Sequence, residues 1–263
     1  MNVDFIQVIG KSHSVCQDFA GGRVSNTWRQ ETLEHDAAVA VISDGCSSVR
    51  NSHLDSSCLV NSVHSLGYLT YYDVLGISES YNLMATLVMV EVDESAITFR
   101  VKGDGVFGYM LKSGEMEIYS IEFSDNAPDY VGYLFQENSS YNIEQLAKQT
   151  VTVKSLVNPE KTLEYKINES VYGLALQLNR DEFDVDYVFV CSDGILTPEA
   201  IKTASNEVLT KFTPEQLNET IIRALTLSKN RNGEFVKRRV LSGFDRFFPN
   251  GFSDDISISM ISL

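Results

Sequence analysis

The chain has 263 residues, enough to bury a sizeable core as one large domain or two small ones. Its hydrophobic share of 43% and charged share of 22% are those of a globular protein and exclude a disordered or fibrous chain. With 36 acids against 21 bases the formal charge is -15, which repels nucleic acid and anionic membrane, excludes both as expected partners, and suits cations.

Residues 1–10 lack the basic start and apolar core of a secretory signal, and no later run approaches the roughly 20 apolar residues that span a bilayer. A cytoplasmic location is expected. Cys16, Cys46, Cys58 and Cys191 are scattered without a Cys-x-x-Cys pair, so neither a zinc site nor a disulfide framework is indicated, and reduced thiols are expected.

In chain order, residues 5–9 alternate weakly and predict a first strand, followed by a polar loop, 10–18, that ends on Asp18. Gly10-Lys11-Ser12 lacks the upstream glycine of a phosphate-binding P-loop, since Phe5 stands in its place. Gly21-Gly22 marks a turn and 27–35 a polar linker. The run 36–43 predicts a buried strand ending on Ser43-Asp44-Gly45. Leu59, Val60, Val63, Leu66 and Leu69 recur at helical spacing and predict a helix over 55–69, one face on a sheet, with Asp55 or Ser56 as its cap. Residues 84–92, 96–101, 106–111 and 116–123 predict an antiparallel meander, with Asp104 in the tight turn Gly103-Asp104-Gly105.

The stretch 126–169 shows little periodicity beyond a short helix at 143–148 and is expected to be irregular, with a lid or flap inserted near 124–169. Strands are predicted around 170–176 and at 186–191, the second ending on Ser192-Asp193-Gly194. Helices are predicted at 198–204 and 214–227, each with proline in its first turn. Residues 229–239 are locally basic and read as a solvated connection, and 254–263 form a strictly alternating strand headed by Asp254 and Asp255. Nothing in the composition marks a linker or a repeat, so one domain, 1–263, is expected.

An Asp-Gly corner by itself is ordinary turn chemistry. Here Asp18, Asp44, Asp104, Asp193 and Asp254 or Asp255 each stand at a border between strand and loop. A carboxylate at the end of a buried strand is costly unless paired or bound to a cation. A glycine just after it lets the backbone turn and brings a carbonyl near the same ion. Acids so placed are what a folded sheet needs to build a site for a hard cation such as Mg2+ or Mn2+.

The succession Gln17-Asp18, Ser43-Asp44-Gly45, Ala85-Thr86-Leu87-Val88, Gly103-Asp104-Gly105, Ser192-Asp193-Gly194 and Asp254-Asp255-Ile256-Ser257 resembles the ordered motifs of the protein phosphatase 2C family of metal-dependent Ser/Thr phosphatases. It is most similar to the divergent bacterial branch whose opening motif runs Gly-x-Ser-His and then Gln-Asp, here Gly10-Lys11-Ser12-His13 and Gln17-Asp18. The resemblance implies an α+β fold, a four-layer α/β/β/α sandwich of two antiparallel sheets with helices on the outer faces. It implies two Mn2+ or Mg2+ ions at one end and a third, weaker one. Asp44 would bridge the ions and Gly45 offer one of them its carbonyl. Asp193 and Asp254 would bind the other ion, with Asp255 beside them. Asp18 would hold the metal shell directly or through water, and Asp104 would serve the weaker site. The implied reaction is hydrolysis of a phosphomonoester by metal-activated water, without a covalent intermediate. Its substrate would be a phosphorylated protein, paired with a cognate Ser/Thr kinase in bacterial signalling.

Two departures stand out. The family commonly reads Asp-Gly-His-Gly-Gly, with the histidine a candidate general acid, whereas this chain reads Asp44-Gly45-Cys46-Ser47-Ser48. The leaving-group proton would fall to His13, His53 or a metal-bound water. The family's phosphate-holding Arg near the opening motif is replaced by Lys11 and His13, with Arg23 farther on. Lysine binds phosphate as a point charge, without the bidentate fork. A phosphatase-like regulatory module is the alternative. A nuclease or phosphodiesterase would share the acids, but the charge of -15 opposes it.

Overall fold

Residues 37–43 read AAVAVIS and every one is buried, so the strand they form must be covered on both faces. The computed structural model describes residues 1–25, 37–67, 69–124, 128–135, 150–158, 160–166, 173–199, 201–202, 209–210, 212–226 and 233–263. In order these give β1 (Asn2–Val8), β2 (Phe19–Ser25), β3 (Ala37–Ser43), α1 (Ser52–Leu66), α2 (Tyr71–Ser78), β4 (Leu87–Val92), β5 (Ala96–Lys102), β6 (Gly105–Leu111) and β7 (Met116–Phe123). There follow β8 (Thr150–Ser155), β9 (Thr162–Lys166), β10 (Leu174–Asn179), β11 (Val185–Cys191), the two-residue strands β12 (Ile201–Lys202) and β13 (Leu209–Thr210), α3 (Pro214–Thr226), α4 (Leu241–Phe247) and β14 (Ile256–Ser262).

One sheet has seven strands in the order β1-β14-β11-β6-β7-β8-β9, the other five in the order β10-β5-β4-β3-β2, and every pairing in both is antiparallel. Side chains alternate across each sheet, and three apolar clusters follow. Ala38, Ala40, Ile42, Val88, Val90 and Phe99 of the smaller sheet meet Phe107, Tyr109, Val188, Val190 and Ile261 of the larger, so the sheets pack face to face. Val39, Val41, Leu87 and Met89 point the other way, against Leu59, Val60 and Val63 of α1. Tyr187, Phe189, Ile258 and Met260 turn outward to meet Ile221, Leu225, Val240 and Phe244 of the carboxy-terminal helices. The layers run helix, sheet, sheet, helix, as the resemblance implied.

The structure corrects several expectations in detail. The meander over 84–123 is split: β4 and β5 lie in one sheet, β6 and β7 in the other, and the chain crosses between them at Gly103-Asp104-Gly105. Both glycines have positive φ (+94° and +145°), and a Cβ on Gly103 would lie 2.7 Å from Thr86, so this crossover requires glycine. The first helix starts at Ser52 and stops before Gly67, after which α2 opens with a capping box of Thr70 and Asp73. Residues 198–204 are not a helix where described: Pro198, which cannot donate, makes an isolated bridge to Phe252, and Ile201–Lys202 is a strand. The stretch expected to be irregular contributes β8 and β9 to the edge of the larger sheet. The linker at 27–35 and the helix at 143–148 lie outside the described residues, as do 229–232 of the basic connection, which continues at 236–240 as a π-turn. Among the described residues no helix is long and apolar enough to cross a membrane.

Candidate functional site

The acids singled out in the sequence converge because antiparallel strands of both sheets end at the same edge of the sandwich. In the smaller sheet Phe19 pairs with Ser43, so Asp18 and Asp44, one step further, face each other. In the larger sheet Cys191 pairs with Ile258, and Ser192 N donates to Ser257 O (3.0 Å) while Ser257 N donates to Ser192 Oγ (2.9 Å). That brings Asp193 beside the head of β14. Asp104 arrives on the crossover between the sheets. Thr86 fixes Asp44 from below: Asp44 N donates to Thr86 Oγ1 (3.0 Å) and Thr86 N donates to Asp44 O (2.8 Å).

The carboxyls act on one another. Asp44 is hydrogen-bonded to both Asp18 and Asp193, and the Ser192 hydroxyl beside them accepts from Ser257 N (2.9 Å) and donates to Asp255 O (3.5 Å). Two carboxyls can hydrogen-bond only by sharing a proton. Burial first, then the charges of Asp255 and Asp193, raise the pKa of Asp18 to about 7. Burial and the charges of Asp18, Asp193 and Asp104 hold Asp44 well above the usual carboxylate range. Asp104 is raised well above it by burial and then chiefly by Asp193, and Asp193 is raised by burial and then by Asp254. No positive charge is among the strongest influences on these four. Asp18 is 2% exposed and its Oδ2 is buried with no hydrogen-bond partner, whereas Asp44, Asp104 and Asp193 are half-buried, so the cluster opens to solvent on one side.

Asp254 and Asp255 divide the work at the head of β14. Asp255 Oδ1 accepts from Gly10 N (2.7 Å) and Oδ2 from Gln17 N (2.6 Å), so this buried side chain staples the two ends of the opening loop. Asp254 is 45% exposed and its charge bears on Asp104 and Asp193. Gly194 is needed beside them, because a Cβ there would lie 1.8 Å from Asp255 O. His13 Nδ1 lies 2.9 Å from Asp255 Oδ2 and 3.5 Å from Asp254 Oδ1, close enough for an ion pair but misaligned for a hydrogen bond. Burial works to lower its pKa, yet Asp255, Asp254 and Asp18 together raise it. Lys11 is exposed on the same loop, its backbone N donating to Phe252 O (3.0 Å). His53 sits at the start of α1, where its charge bears on Asp55. Arg23 is turned to the end of α1, donating to His64 O and Ser65 O.

As they stand, no three acidic, histidine or cysteine side chains among the described residues converge tightly enough to clasp an ion. The donor set nonetheless suits a hard cation. It is all oxygen, it has an orphaned buried carboxylate oxygen, and its raised pKa values report negative charge without compensation.

No protein-family model and no curated protein matches the sequence. Solved structures match along its whole length at low identity. A bacterial serine phosphatase is 14% identical with a TM-score of 0.54, covering 100% of this chain and 97% of its own. The serine/threonine phosphatase Stp1 from Staphylococcus aureus is 12% identical with a TM-score of 0.55, covering 99% and 94%. The chain has the fold of the bacterial protein phosphatase 2C enzymes. At these identities the likeness is one of fold. RsbX, solved in complex with magnesium, superposes at a TM-score of 0.47, too weakly to bear on this chain's own site.

Within this phosphatase 2C fold the structure gives roles to residues that the sequence had not proposed as ligands or catalytic groups. Ser192 has a visible signal, lying between a buried strand and Asp193. Thr86 is a polar residue in an otherwise mostly apolar run and is 1% exposed. Lys102 and Asp129 form an ion pair, Nζ to Oδ2 2.6 Å, whose side chains are 2% and 4% exposed. Their separation of 27 positions leaves no local pattern to find. Removing one partner strands a buried charge, so Lys102→Met is expected to cost about 3–5 kcal/mol and Lys102→Met with Asp129→Leu to recover most of it. Urea denaturation of the two variants checks this; a single variant within about 1 kcal/mol of wild type would show the pair to be idle.

Proposed function

We infer that the protein is a metal-dependent phosphoprotein phosphatase acting on phosphoserine or phosphothreonine. What carries the reading is the buried acid cluster of Asp18, Asp44, Asp104 and Asp193, short of positive charge and set at one end of a phosphatase 2C fold. Asp44, Asp193 and Asp254 would hold two Mn2+ or Mg2+ ions, with the Gly45 carbonyl and with Asp18 directly or through water, and Asp104 would serve a third, weaker ion. Bound there, such ions acidify water and neutralise phosphoryl oxygens. The chain's own part is to hold the acids in register at the strand ends, to fix Asp44 through Thr86 and to keep the opening loop closed on Asp255. Lys11, exposed on that loop, would meet the substrate phosphate. A phosphorylated protein fits as substrate, its phosphate supplied by a Ser/Thr kinase.

Hydrolysis of a phosphothreonine peptide should appear with Mn2+ or Mg2+ and vanish with EDTA. A second reading, a phosphatase-like module that binds metal or phosphoprotein without turnover, is favoured by Cys46 in place of histidine after Gly45. Mn2+ binding with no hydrolysis above the EDTA blank would select that reading and reject the enzyme.

A further inference from the structure

Four segments that meet beside the acids are tied into a closed circuit. Ala85 bridges to Gly45, and Cys46 N donates to Met84 O (2.9 Å), so the loop that carries Asp44 lies along 84–86. Leu83 and Ala85 turn their carbonyls to segment 128–135, where Gly132 N donates to Leu83 O (2.7 Å) and Val131 N to Ala85 O (3.0 Å). The approach is so close that a Cβ on Gly132 would stand 2.2 Å from Asn82 O. The crossover packs through Gly103 on Thr86, which holds both backbone N and O of Asp44. The Lys102–Asp129 ion pair, Nζ to Oδ2 2.6 Å, closes the circuit. Lys102 ends β5 just before the crossover, and Asp129 precedes the residues that ladder onto Leu83 and Ala85.

Stability does not explain why this link is ionic. Taking both charges out of water is costly, and an apolar pair of like volume serves a core as well or better. Leu87, opposite Lys102 across β4, is a fully buried neighbour of that kind. What an ion pair supplies beyond packing is a preferred distance and direction between two particular atoms. Asp104 needs such a constraint, because it belongs to neither β5 nor β6 and stands between two glycines of positive φ. We propose that Lys102 and Asp129 are positioning residues whose ion pair fixes Asp104 against Asp44 to hold the weaker cation, an assignment that rests on the metal-dependent phosphatase reading. Thr86 limits the crossover from the side of Asp44 and the ion pair from the side of segment 128–135. An apolar pair in its place keeps the segments packed but leaves their distance unset. Loss of such an outer support costs about 10–100-fold in metal affinity.

The test titrates Mn2+ by calorimetry into the metal-free full chain as wild type, as Lys102→Met with Asp129→Leu, as Asp104→Asn, and as all three substitutions together. Thermal melts report that each is folded. The expected result is that the apolar pair weakens the most weakly bound Mn2+ at least tenfold while the tighter ions bind within about threefold of wild type. Asp104→Asn should lose that same ion, and adding the apolar pair to it should cost nothing more. A purely structural role would weaken all the ions alike. That outcome, an apolar pair that binds as wild type does, or an Asp104→Asn that changes no binding, overturns the positioning role and leaves the phosphatase reading standing. If the apolar pair does not fold, Asp129→Asn, which keeps the shape and removes the charge, decides: a weakest site that is unchanged there overturns the proposal, and one that is weakened only when Asp104 is present supports it. A wild type that binds no Mn2+ overturns the two together.

Discussion

Asp44→Asn is expected to lower kcat on a phosphothreonine peptide by about a thousandfold or more while leaving the protein folded. The side chain of Asp44 is joined to both Asp18 and Asp193, and its backbone N and O are both held by Thr86. Asparagine preserves that shape and backbone pairing but removes the charge with which Asp44, on the proposed reading, would hold metal. Several kcal/mol of transition-state stabilisation hang on a metal so held, and each 1.36 kcal/mol is about a factor of ten in rate. Asp193→Asn should behave alike. Without metal the same variants should melt no lower than wild type at neutral pH, because each takes one carboxyl out of a mutually repelling group. Parallel kcat and metal-free melting measurements check both halves. A variant that retains more than a tenth of wild-type kcat would remove Asp44 from the metal-holding role.

The second large effect is on stability. The metal-free protein should be more stable at pH 5 than at pH 8, and Mn2+ should stabilise it far more at the higher pH. Asp18 has its folded pKa raised from 3.8 to about 7, and Asp44, Asp104 and Asp193 move in the same direction. A group whose pKa is raised on folding contributes stability that is whole below its unfolded value and is lost as pH rises through its folded value. The window therefore runs from about pH 4 to about pH 7. His13, also raised, adds to the same slope. The carboxyls share protons, so the total is on the order of a few kcal/mol rather than the sum of separate shifts. For a chain of this size that is about 5–15 °C in melting temperature. Thermal melts in EDTA at the two pH values test it. A metal-free protein that gains stability from pH 5 to pH 8 would mean that the acids do not confront one another in the folded chain.

The periodicity of the apolar runs was a dependable guide where one face decides the fold. The run 36–43 reads as a buried strand, and 37–43 are all buried; 214–227 reads as a helix because Ile221, Ala224 and Leu225 fall on one face of it. It was a poor guide where pairing decides. Whether β5 and β6 share a sheet depends on the turn at Gly103-Asp104-Gly105, not on the strands it joins. Likewise 150–155 becomes a strand by docking along β7, and Pro198 leaves the helix that its neighbours suggested by bridging to Phe252.

The same division runs through the site. The sequence alone determined which acids stand at strand ends, and with them the expectation of a cation or a partner, because a carboxylate that closes a buried strand carries its cost wherever the strand is placed. Only the tertiary structure decided their company. Asp255 spends its oxygens on Gly10 and Gln17 while Asp254 stays partly open, although the two are adjacent in the chain. Lys102 and Asp129, 27 positions apart, meet in a buried ion pair that no local pattern announces. Burial and proton sharing depend on distance in space, and the chain sets that distance only once both sheets have closed on each other.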